Sequence, residues 1–148
     1  MGGKVRLAFT EDPAFLNRVA NHPDVRPWMG ATDDAEIDLG ALFHQPGAFA
    51  LVNDHGGFVF NMTGDGGLQF HTMFLPEGRG KPAMEAAFEA LGILFDTHFA
   101  PYLETYVPHG NVAAKWMVKF AGFSKTHEDK QQSYWRLTRN DWKARVAA

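Results

Sequence analysis

Phe74-Leu75-Pro76-Glu77-Gly78-Arg79-Gly80-Lys81-Pro82-Ala83-Met84 is the stretch that decides how this chain reads. Before it, Leu68 to Leu75 has the aromatic and β-branched content of a strand. After it, Met84, Phe88, Leu91, Leu94, Phe95 and Phe99 recur at helical spacing, which predicts a core helix with one buried stripe. A strand that runs through a short glycine-rich, basic loop straight into a helix is a natural place for an anion. The helix start presents unpaired amides and about half an elementary charge of positive dipole, and glycine lets a phosphate approach the backbone. Arg79 and Lys81 bring two full charges to the same spot. The loop lacks the Gly-Lys-Ser/Thr of a Walker loop and the GxGxxG of a dinucleotide fingerprint. Taken alone, it also reads as a solvated basic turn.

Outward from this stretch the pattern stays α/β. Two glycine-marked reversals, Asn53-Asp54-His55-Gly56-Gly57 and Gly64-Asp65-Gly66-Gly67, predict a meander of strands over Ala48 to Asn53, Phe58 to Met62 and Leu68 to Leu75. An earlier strand, Val5 to Phe9, is expected to join the sheet, followed by a helix that Thr10 caps ahead of Pro13. A second helix is expected from Asp34 to Phe43. Beyond the core helix, Leu103 to Val107 reads as a strand, Val112 to Phe120 as a helix closed by Gly122, and Phe123 to Lys125 and Ser133 to Leu137 as a final strand pair. The polar stretch Thr126 to Gln132 would join that pair, and the tail after Asp141 reads as a short helix or a frayed end. With no repeat and no linker, residues 1–148 read as one domain with a mixed, mostly antiparallel sheet of six to seven strands and about four helices.

Composition narrows the chemistry. The chain has no cysteine, which removes disulfides, thiolate nucleophiles and cysteine zinc sites, and favours a cytoplasmic address. Its seven histidines show no HExxH spacing, so no metal is expected, and no apolar run is long enough to span a membrane. A formal charge of −3 argues against nucleic acid as partner, and any anion site has to rest on local charge. The thirteen phenylalanines suggest an aromatic core, with Phe88, Phe95 and Phe99 of the helix clamped to Phe58, Phe60, Phe70 and Phe74 of the meander. Trp28, Trp116, Trp135 and Trp142 read as packing or rim residues.

Two segments in the right order carry a resemblance. Phe74 to Lys81 resembles the acetyl-CoA pyrophosphate loop of the GNAT N-acetyltransferase superfamily, and Val107-Pro108-His109-Gly110-Asn111-Val112-Ala113-Ala114, with the later Gly122-Phe123, resembles its Asn-x-x-Ala helix and closing strand. The likeness extends over nearly the whole chain. A narrower one, in Asn21 to Trp28, is to phage-type members and to those acting on N-terminal amines or ribosomal proteins. The resemblance implies a direct transfer of an acyl group, acetyl above all, from acyl-CoA to an amine. Met73, Phe74 and Leu75 would pair through their backbone with the pantetheine arm, and amides of Arg79, Gly80, Lys81, Pro82, Ala83 and Met84 would surround the pyrophosphate, Pro82 having none to give. Asn111 would flank the same arm, while Lys115 and Lys119 read either as phosphate contacts or as a solvated face. A homodimer is compatible with this reading.

The chain departs from the family pattern at telling positions. Pro82 and Met84 stand where small residues are usual, Val118 stands where many members carry a proton-donating tyrosine, and Leu68 to Leu75 holds no carboxylate. Substitute catalysts are His109, where the fifth strand opens, and His71, which otherwise reads as facing the core or a neighbouring strand. Tyr134 is the candidate proton donor to sulfur, or a packing residue. The competing expectation is a catalytically degenerate GNAT-fold binding or assembly protein.

Overall fold

Short polar side chains close the turns that build the sheet. The computed structural model describes residues 6–29, 34–98 and 100–147. In chain order its elements are β1 (Ala8–Thr10), α1 (Ala14–Ala20), a 3-10 turn (Arg26–Trp28), α2 (Gly40–Phe43), β2 (Phe49–Asn53), β3 (Gly56–Met62), β4 (Leu68–Phe74), a 3-10 turn (Pro76–Gly78) and α3 (Lys81–Gly92). A π-helical turn (Ile93–Thr97) prolongs α3, and β5 (Tyr102–Pro108), α4 (Val112–Ala121), β6 (Ser124–Glu128), β7 (Gln132–Thr138) and α5 (Arg139–Ala147) follow. Asn53 Oδ1 accepts from the His55 amide at 2.8 Å in the first reversal, and Asp129 Oδ1 accepts from the Gln131 and Gln132 amides at 2.8 and 2.9 Å in the last. The seven strands lie in the order β1-β2-β3-β4-β5-β7-β6, all antiparallel except β4 with β5. This is the expected mixed, mostly antiparallel α/β sheet, with four helices of seven residues or more.

Strand alternation divides the core between the two faces. Phe58, Phe60, Phe70, Phe74 and Leu103 pack with α3 and α4, while Ala50, Val59 and Met73 pack with Leu16, Val19 and Ala20 of α1. The phenylalanines meet edge to face, as in Phe58–Phe74 at 5.4 Å and Phe70–Phe123 at 5.8 Å between ring centroids. Because the sheet supplies the bulk, α3 buries alanines: Ala83, Ala86, Ala87 and Ala90, with Leu91, Leu94 and Phe95 further on. The expected stripe of large residues therefore needs correcting. Met84 and Phe88 are only half-buried, and Phe99 lies outside the described residues.

Other boundaries moved for identifiable reasons. The expected helix over 34–43 shrinks to α2 because Asn17 of α1 and Asn21, which caps its C-terminal end, claim the preceding backbone. Asn21 Oδ1 and Nδ2 bond the Ile37 amide and carbonyl at 2.7 Å each, and Asn17 Oδ1 bonds the Leu39 amide at 2.7 Å. The first strand starts late, since the Leu7 amide goes to Glu89 Oε2 at 3.1 Å, while Val5 lies outside the described residues. At α1, Asp12 Oδ1 takes the Ala14 amide and Thr10 only the Asp12 amide. The strand β6 reaches Glu128, into the stretch read as a connection, because all five of its residues are exposed and leave no apolar alternation to detect.

Candidate functional site

The one parallel contact in the sheet is short. β4 pairs with β5 only at Leu68–Leu103 and Gln69–Glu104. Just beyond, the buried Thr105 hydroxyl donates to the Phe70 carbonyl at 2.9 Å, and from there the strands diverge. The wedge opens into a cavity of about 1000 Å³ walled by His71 to Phe74, Thr105 to Pro108, and the first turns of α3 and α4. The main-chain groups of a strand alternate in direction. Since the Phe70 carbonyl faces β5, Thr72 and Phe74 face the wedge, whereas Met73 turns toward its partner Gly57 on β3. The Leu75 amide donates to the His55 carbonyl at 2.8 Å. Of the three residues expected to line the arm with backbone, Phe74 alone is so oriented, joined by Thr72, which the sequence reading did not single out.

The wedge leads to the start of α3. Gly78 donates its amide to the Leu75 carbonyl at 2.9 Å, Arg79 to Pro76 at 3.2 Å and Met84 to Gly80 at 3.0 Å. Pro82 has no amide hydrogen. Among the described residues this leaves the amides of Gly80, Lys81 and Ala83 without an internal acceptor. Gly80 has φ +76°, a conformation that disfavours any side chain, and nothing stands within 4 Å of where its Cβ would be. The ground over these amides is open. Gly78 serves differently: a Cβ there would lie 2.3 Å from His55 Cβ, so its bareness lets the loop pack on the β2–β3 turn. Arg79 lines the cavity and reaches across it, donating from Nε to the Phe74 carbonyl at 3.0 Å and from Nη2 to the Asp24 carbonyl at 2.8 Å. Asn111 also lines it and caps α4, its Oδ1 accepting from the Ala114 amide at 3.1 Å.

Open amides, a cationic side chain and a groove beside a strand edge that β5 leaves without a ladder fit an extended phosphate-bearing ligand. Lys81 and Ala83 share the lining with Gly80, but Lys115 is exposed and outside it. Lys125, bonded to Glu128 at 2.6 Å, holds that carboxyl below its usual range, with Lys115 adding to the same field.

Of the proposed catalysts, the fold brings His71 alone into the wedge wall. Its ring meets Tyr106 edge-on at 5.4 Å and 72°. Burial pushes the imidazole below its ordinary 6.5 and the Tyr106 phenol above its ordinary 10.0, so at neutral pH a neutral base adjoins a protonated phenol. Tyr106 was missed in the sequence. The signal was available, because it alternates with Leu103, Thr105 and Val107 and so falls on the opposite face of β5. His109 turns away: its amide donates to Gln131 at 3.0 Å and its Nε2 lies 2.8 Å from the Asp129 carbonyl, at the β6–β7 hairpin. Tyr134 belongs to the same hairpin, donating to Asp129 Oδ2 at 2.8 Å and stacking on His127 at 4.2 Å. Neither lines the cavity. Val118 is buried in the wall, and Trp28 and Trp116, read as packing or rim residues, both line the opening.

Among the described residues, no group of three or more His, Asp or Glu is placed to hold a metal, and no helix is long and apolar enough to cross a membrane. No family model and no curated protein matches the sequence. Solved structures do match in shape. An aminoglycoside acetyltransferase, AAC(6')-Ib, in complex with coenzyme A superposes with a TM-score of 0.76 at 17% identity, covering 97% of this chain and 99% of that one. A spermidine N-acetyltransferase from Vibrio cholerae, in complex with CoA and spermine, gives 0.75 at 15% identity, over 93% and 98% of the two chains. A GNAT-family acetyltransferase from Bacillus anthracis gives 0.68 at 15% identity, again over 93% and 98%. The chain therefore has the GNAT acetyltransferase fold.

Proposed function

We propose that this protein is an acyl-CoA-dependent N-acyltransferase, with acetyl-CoA as donor and a primary amine as acceptor. The observation that carries the reading is the β4–β5 wedge, which runs from open amides at the start of α3 to a neutral imidazole in its wall. The donor supplies an activated acyl group as its thioester. Gly80, Lys81 and Ala83 hold its phosphates through backbone amides, and the Lys81 side chain adds charge. The edge at Thr72 and Phe74, where β5 forms no ladder and Arg79 holds the Phe74 carbonyl, takes the extended arm through its remaining groups, and an amide on that edge polarises the carbonyl. His71 accepts the amine proton as the carbon–nitrogen bond forms, and Tyr106 donates a hydrogen bond in the same wall.

Titration of thermal stability with acetyl-CoA tests this. A ligand at a hundredfold its dissociation constant stabilises by about 2.7 kcal/mol, and Lys81→Ala should need more ligand for the same shift. No shift at millimolar acetyl-CoA would overturn the reading. A second reading, a binding protein without turnover, is favoured by Val118 in place of a phenol. It predicts the same shift with no release of free thiol for any amine.

A further inference from the structure

The lining of the cavity extends to the α1 face of the sheet. His71 stands two residues before Met73, which packs with α1, and Tyr106 meets the His71 ring on that side. The 3-10 turn after α1 and its flanking residues contribute Trp28, Val25 and Met29 to the same lining, with Trp28 44% exposed. The charges are one-sided. The formally charged residues lining the cavity are Arg79 and Lys81, and among the described residues no Asp or Glu lines it.

This arrangement selects among amines. A polyamine or aminoglycoside would bring several ammonium groups to a wall of His71, Tyr106, Trp28 and Met29 among whose described neighbours in the lining no Asp or Glu stands, and each charge desolvated there would lack a carboxylate partner. An amine on a flat apolar body has a single charge to shed, which it leaves in solvent by entering as the neutral amine, and it finds an indole, a phenol ring and a thioether to lie against. We propose, on the acyltransferase reading above, that the acceptor is a small aromatic primary monoamine held between Trp28 and Tyr106 with its nitrogen at His71. In the transfer, the amine nitrogen forms a bond to the thioester carbonyl carbon and loses its proton to His71. The carbon–sulfur bond breaks, its electron pair leaves with sulfur, and the thiolate takes up the proton that His71 releases, directly or through solvent, giving free coenzyme A and an N-acetylated arylalkylamine.

2-Phenylethylamine, spermidine and kanamycin are the probes. Each is titrated calorimetrically into the protein, alone and with saturating coenzyme A, and each is assayed with acetyl-CoA by thiol release. 2-Phenylethylamine is expected to bind and to react on the order of tenfold better than either polycation. Trp28→Ala should raise its KM on the order of tenfold with kcat little changed, and Trp28→Phe should restore it. Preference for spermidine or kanamycin, no binding of 2-phenylethylamine, or indifference to Trp28→Ala would each overturn the proposal. A protein that binds acetyl-CoA and acetylates spermidine would sink this inference and leave the acyltransferase reading standing. A protein that binds 2-phenylethylamine but not acetyl-CoA would sink the acyltransferase reading, and with it the role of that amine as acceptor.

Discussion

The two ends of the β4–β5 pair are built from the same two strands and do opposite work. At the lower end, Leu68 and Gln69 pair with Leu103 and Glu104, Leu103 is fully buried, and Arg136 lies over the Tyr102 ring while bonding Glu104. At the upper end no ladder forms, and His71, Thr72, Phe74 and Tyr106 line a cavity. One threonine separates the regimes, since the Thr105 hydroxyl answers the Phe70 carbonyl where the next ladder bond would have been. A closed ladder beside an open one shows how a sheet stays stable while leaving backbone groups for a ligand. The lower end carries packing, and the upper end carries polar groups whose pairing is left to something else.

Substitutions can break this contrast, and each has an expected size. At the upper end, His71→Ala should lower turnover by roughly 10²- to 10⁴-fold with little change in melting temperature. The wild-type pH profile should show an acidic limb centred below 6.5 and a plateau above it, since the base is buried and neutral. The sign for stability is the same. A histidine whose folded value is depressed stabilises fully above its unfolded value and less as pH falls toward the folded one, so denaturation midpoints should drop below about 6.5 and His71→Ala should blunt the drop. At the lower end, Leu103→Ala should cost about 2–5 kcal/mol of stability by denaturant titration, with donor binding retained in the folded protein. Tyr106→Phe keeps the ring and should slow turnover roughly five- to tenfold, the worth of one hydrogen bond of about 1 kcal/mol, without moving stability. Thr105→Val sits at the junction. It should cost about 1 kcal/mol of stability and also raise the KM for acetyl-CoA, the one change expected to register at both ends.

Much of the frame was legible because it rests on local rules. Glycine-marked reversals predicted the meander, Gly122 closes α4 with φ +99° as its position suggested, and the strand–loop–helix at Phe74 to Met84 lies where the cavity meets α3. The failures have physical causes at a distance. The helix expected over 34–43 lost its backbone partners to Asn21, 16 residues before Ile37, and to Asn17, 22 residues before Leu39. The large residues of α3 yielded the core face to alanines because phenylalanines of the sheet had already filled it. Among the site residues, His109 read as the nearer candidate and His71 as one that could equally face the core or a neighbouring strand. Asp129 and the hairpin drew His109 outward, while strand alternation kept His71 in the wedge wall.

The sequence by itself determined the order of elements, the place of the basic loop and the supply of histidines, since periodicity, turn chemistry and charge are properties of neighbouring residues. Only the tertiary structure decided which backbone edge stays unpaired, which imidazole is desolvated and which phenol stands beside it. Those depend on the register of β4 against β5 and on burial, and both arise from residues far apart in the chain.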